Sequence, residues 1–98
     1  MRPPSKKEFI RKIKRVIRNH LGANYKVFLF GSRATGQGTA RSDFDVGIEG
    51  KKPVPRWMIS LIKEELEGLP ILYSVDIVDF MAASSKFRRI AKEKILRL

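Results

Sequence analysis

The segment Val27–Ile48, VFLFGSRATGQGTARSDFDVGI, constrains the fold more than any other part of the chain. Tyr25–Phe30 is an apolar run with the length and the β-branched and aromatic content of a buried strand. It stops at Gly31-Ser32, and ten residues separate Ser32 from Asp43. Asp43-Phe44-Asp45 then opens a second strand that continues to Ile48. Side chains alternate across a strand, so Asp43 and Asp45 share one face while Phe44, Val46 and Ile48 share the other. Carboxylates spaced in this way repel each other and resist burial, an arrangement that calls for a cation. Just upstream, Gly31-Ser32 permits a tight turn into a helix N-terminus, whose free N–H groups and dipole favour a phosphate. A phosphate cradle and a metal-holding carboxylate pair in one segment point to chemistry on a nucleotide.

The flanking sequence supplies cover for such strands. From Pro4-Ser5 to Leu21, Phe9, Ile10, Ile13, Val16, Ile17 and Leu21 recur at helical spacing, with Lys and Arg between them. Ser5 is placed to cap this helix, with Glu8 completing a capping box, and Gly22 to stop it. His20, near the helix C-terminus, is expected to interact with the dipole and to have no catalytic role. Ser32 to Gly36 reads as a helical turn or short helix; Arg33 has two open readings, phosphate contact or a structural carboxylate partner. A loop of Gly and Pro follows Ile48, and a second long helix is expected from Pro55 to Gly68, with Trp57 in the core. Ile71–Phe80 reads as a third strand, interrupted by Asp76 among Val75, Ile77 and Val78, where a carboxylate is expensive to bury without a purpose. Asp79 has the opposite parity and is read as structural. A basic C-terminal helix is expected from about Ala83, with Ser84 or Ser85 as its cap, and to include Phe87, Ile90, Ala91, Ile95 and Leu96.

Charge is distributed unevenly along the chain. Of the net +11, residues 1–21 carry +7 and residues 83–98 carry +5, while the middle is close to neutral. The terminal segments therefore suit an acidic protein, a nucleotide or a nucleic acid, or they are simply solvated helix faces. With 98 residues, a single small domain is expected, with its site left open on one side or walled by another protein. The absence of cysteine excludes disulfides and Cys-based zinc sites. MRPPSKKEF has no apolar signal core and no long apolar segment occurs, so a soluble cytoplasmic protein without membrane contact is expected.

Gly31-Ser32, the ten-residue gap, Asp43-x-Asp45 and the later acidic strand together resemble the signature of the DNA polymerase β-type nucleotidyltransferases. GSRATG followed by SDFDVGI in so short a chain is most similar to the minimal nucleotidyltransferases of the MntA-like group. The resemblance implies an α+β fold in which helices flank a small three-stranded mixed sheet. It implies Asp43, Asp45 and Asp76 as catalytic metal ligands for Mg²⁺, and Gly31, Ser32 and Arg33 as the nucleotide grip. It further implies transfer of AMP from ATP to a hydroxyl of a HEPN-type helical partner, with this chain as the antitoxin of the pair. One alternative is a non-catalytic module that neutralises the same partner by binding it. Another, a nucleic-acid-binding or RNA-nucleotidyl-adding protein, ranks third, because no aromatic-rich RNA-reading motif accompanies the basic termini.

Overall fold

Helix α1, Lys6–Leu21, is bounded by the residues its sequence offers for that purpose. The Ser5 hydroxyl accepts from the Glu8 backbone N–H at 3.2 Å, and Gly22, at φ 73°, donates its N–H to the Arg18 carbonyl. A 3-10 turn, Gly22–Asn24, follows; Arg18 holds it by donating from Nη1 to the carbonyls of Gly22 and Tyr25, at 3.2 and 2.9 Å. The computed structural model describes residues 5–31, 44–69 and 74–98. Within these the chain continues as β1 (Lys26–Phe30), β2 (Phe44–Glu49), α2 (Arg56–Glu67), β3 (Val75–Asp79), α3 (Ser85–Ala91) and β4 (Leu96–Arg97).

The strands form one mixed sheet in the order β3-β2-β1-β4. β1 runs antiparallel to both β2 and β4, whereas β2 and β3 are parallel. Period-2 alternation divides the sheet into two unlike faces. Val27, Leu29, Phe44, Val46, Ile48 and Ile77 face one way and pack with Phe9, Ile13, Val16 and Ile17 of α1 and Ile62 and Leu66 of α2. Phe9 meets Phe44 edge-on at 5.0 Å between ring centroids. On the other face, Phe28, Phe30 and Phe80 form a second apolar cluster against Val78 and Ala91, and α3 adds the Phe87 ring to it. The result is the α+β architecture expected, with helices on both sides of a small mixed sheet.

Two local expectations are corrected. The sheet has a fourth strand in place of the three expected, and Leu96 belongs to that strand, not to the C-terminal helix, which ends at Ala91. The outer edge of β1 needs backbone partners, and the chain end supplies them; Leu98 donates its N–H to the Val27 carbonyl at 2.9 Å. Trp57 is 62% exposed, not in the core. Ile62 and Leu66 carry the buried stripe of α2, and at about 3.6 residues per turn they lie on the far side of the helix from Trp57. His20 is in the last turn of α1, and its Nε2 lies 2.8 Å from Glu65 Oε2 on α2, so it bridges the two helices. No helix among the described residues is long and apolar enough to cross a membrane.

Asp79 is structural, as its parity indicates. Its carboxylate accepts from the backbone N–H groups of Val54 (2.6 Å) and Met81 (3.0 Å), fixing the loop before α2 to the end of β3. Asp79→Ala leaves both part-buried donors without this acceptor, and should cost about 1–3 kcal/mol in a urea unfolding titration.

Candidate active site

Three of the residues singled out from the sequence, Gly31, Asp45 and Asp76, lie among the described residues; Ser32, Arg33 and Asp43 lie outside them, as does the short helix expected at Ser32–Gly36. The sheet brings the described three to one end. Phe30, the last residue of β1, is the register partner of Asp45, and Asp45 is in turn the partner of Asp76. Register partners on neighbouring strands point to the same face at a separation of about 4.8 Å between strands, so the two carboxylates emerge side by side. They do so on the face that carries Phe28, Phe30 and Phe80, not the face covered by α1 and α2. The Phe44 N–H donates to the Ser74 carbonyl at 2.9 Å, which pins the starts of β2 and β3 together next to the pair.

Gly31 closes this end. Its φ of 73° belongs to the left-handed region, and a Cβ built on it would stand 2.6 Å from Asp45 Oδ2. The backbone of the turn thus passes directly against the Asp45 carboxylate, in a left-handed conformation that glycine adopts without steric cost. This is the geometric reason for the Gly at the strand end, and it is independent of any ligand. Asp45 is half-buried, while the Asp76 side chain is 58% exposed.

A cation missed in the sequence reading also reaches this end. Lys63 of α2 places Nζ 3.7 Å from Asp76 Oδ1, around the β3 edge of the sheet. As one outward lysine among the charged residues of an amphipathic helix, it carried no signal in the sequence; only the packing of α2 beside β3 brings it to the carboxylate.

Comparison with known proteins settles the family. The model for the family described as polymerase beta nucleotidyltransferase matches residues 11–96. The chain belongs to this family. This nucleotidyltransferase is 30% identical over 81 residues to the probable protein adenylyltransferase MntA of Haemophilus influenzae, a match spanning 83% of this chain and 71% of that one. Among solved structures it resembles a chain of a toxin–antitoxin crystal structure with AMP-PNP (TM-score 0.74, 20% identity), over 89% of this chain and 69% of the other. It also resembles a chain of the tri-AMPylated Shewanella oneidensis HEPN toxin in complex with MNT antitoxin (TM-score 0.72, 17% identity), over 95% of this chain and 71% of the other. At such identities these structures establish the nucleotidyltransferase fold.

Proposed function

We propose that this nucleotidyltransferase moves AMP from ATP, with Mg²⁺, to a hydroxyl of a HEPN-type partner protein, and acts in the cytoplasm as the antitoxin of that pair. The observation that carries the proposal is the convergence of Gly31, Asp45 and Asp76 at one end of the sheet. The likeness to the adenylyltransferase MntA and to chains of toxin–antitoxin structures supports the nucleotide and the partner.

The donor set suits the cation. Asp45 and Asp76 are register partners offering only carboxylate oxygens, which a hard cation such as Mg²⁺ prefers to nitrogen or sulfur donors. In this reading Asp43, Asp45 and Asp76 would hold the ion, and Gly31, Ser32 and Arg33 would receive the triphosphate through backbone N–H groups, a hydroxyl and a guanidinium. Held there, the ion would supply charge neutralisation at the α-phosphate and the leaving pyrophosphate. The acceptor oxygen bonds to the α-phosphorus, the bond from that phosphorus to the pyrophosphate oxygen breaks, and Asp76 receives the hydroxyl proton. No covalent enzyme intermediate is required. Positioning and electrostatics supply the rate.

The test is intact-mass spectrometry of a HEPN-type partner incubated with ATP, Mg²⁺ and this protein. Mass increments of AMP units with the wild type and none with the Asp45→Asn protein are expected. A partner that is neutralised yet unmodified would replace transfer with neutralisation by binding.

Lys63 provides a second check on the metal. Its ammonium competes for Asp76, and an ion pair this exposed is worth about 0–1 kcal/mol. Lys63→Met should therefore tighten binding of Mn²⁺, titrated by calorimetry without nucleotide, by up to about fivefold. Weaker binding in that variant would show that Lys63 does not compete with the ion.

A further inference from the structure

Resting on the reading that a protein hydroxyl is the acceptor, we infer that the exposed flank of α3, formed by Lys86, Phe87, Arg89 and Ile90, is the surface on which the acceptor protein docks, through an acidic segment bearing apolar side chains. The first ground is position. α3 lies on the same sheet face as Asp45 and Asp76, and its Phe87 ring packs edge-on against Phe30, at 6.1 Å between centroids. Phe30 is the register partner of Asp45, so one aromatic side chain separates this helix from the strand position of the carboxylate. An acceptor seated on α3 is beside the site and on its open face.

The second ground is composition. Phe87 remains 40% exposed although it also packs against Phe80, and Ile90 is 56% exposed. Lys86 and Arg89 flank them in sequence and make no ion pair among the described residues, whereas Lys92, at the far end of the helix, is tied to Glu49. Residues 83–98 contain a single acidic residue, Glu93, and among the described residues the Lys92–Glu49 pair is the ion pair that meets their positive charge. An apolar centre with a cationic rim is how a protein interface is built.

The contrast with α1 decides between a protein and a nucleic acid. α1 is equally basic, but no large hydrophobic residue on it is exposed among the described residues, which fits a solvated face. The aliphatic Ile90 on α3 has no use against a phosphate backbone, and no aromatic face for base stacking accompanies it beyond the half-covered Phe87. An acidic polypeptide with apolar side chains uses both features.

A fluorescent random copolymer of Glu, Ala and Tyr serves as the probe, followed by anisotropy for binding and by intact mass for AMP transfer in the presence of ATP and Mg²⁺. The Lys86→Glu/Arg89→Glu protein should bind it at least about tenfold more weakly, and Ile90→Ser about fivefold. Arg11→Glu/Arg15→Glu on α1 changes the net charge by the same amount and should stay within about twofold. All these positions are exposed or solvent-facing, and unchanged thermal midpoints confirm that the variants fold. Equal losses for the α1 and α3 variants, or no saturable binding by the wild type, would overturn the inference. So would tighter, α3-dependent binding of a single-stranded oligonucleotide. Binding that depends on α3 without any AMP transfer would uphold the docking surface and count against adenylyl transfer.

Discussion

Asp45→Asn is expected to lower AMP transfer by about 10²–10³-fold or more while the protein stays folded. The substitution is nearly isosteric, which matters because the side chain lies directly beneath the Gly31 turn, with Oδ2 2.6 Å from where a Cβ on that residue would stand. An amide fits the same space. It cannot, however, present two anionic oxygens, and an NH₂ group turned toward the site offers a donor where a cation needs an acceptor. The substitution also removes one of two like charges on adjacent strands, since Asp45 and Asp76 are register partners. Transfer measured by intact mass and unfolding followed in urea separate the two effects. Wild-type transfer by the Asn protein would remove Asp45 from the catalytic set. A loss of transfer that tracks a loss of stability would make its role structural.

That Asp45 and Asp76 meet was legible in the sequence only in part. Alternation in Phe44-Asp45-Val46-Gly47-Ile48 shows that one face is apolar and the other is not, because a strand has a period of two and the residues obey it. The same reasoning places Asp76 and Asp79 on opposite faces, and the hydrogen bonds of Asp79 to Val54 and Met81 bear this out. Which strands are neighbours is another matter. Parallel pairing of β2 with β3 is a long-range choice that no local pattern encodes; family resemblance implies a mixed sheet but not which strands are neighbours in it. Trp57 and Leu96 were misjudged for a related reason. Apolar residues at mixed spacing in a short segment fit a helix or a strand equally well, and only tertiary packing says which side of α2 is buried or that β1 has a free edge. Lys63 had no legible signal, since its partner is a carboxylate on another element.

Gly47 is the site of the largest expected stability loss. A glycine in the middle of a strand weakens it intrinsically, so its presence in β2 marks a close approach by something else. Here that something is aromatic. A Cβ at Gly47 would overlap Cε2 of Phe28 and would lie 2.6 Å from Cζ of Phe28 and 2.7 Å from Cε1 of Phe80. Phe28 and Phe80 are themselves locked together edge-on at 4.8 Å, both are buried, and Phe30 and Phe87 pack against Phe80, so neither ring has room to retreat. Gly47→Ala should therefore destabilise the protein by about 1–3 kcal/mol or more, despite the better strand propensity of alanine. The consequence should reach the site. Phe30, which α3 and the Phe80 ring hold in place, is the register partner of Asp45, so repacking the cluster disturbs the strand end that bears the carboxylate. A lowered urea midpoint together with reduced transfer is the expected outcome. The double variant Gly47→Ala/Phe28→Leu, which makes space for the added methyl, should recover part of both losses, and failure to recover either would show that overlap with Phe28 is not the cause.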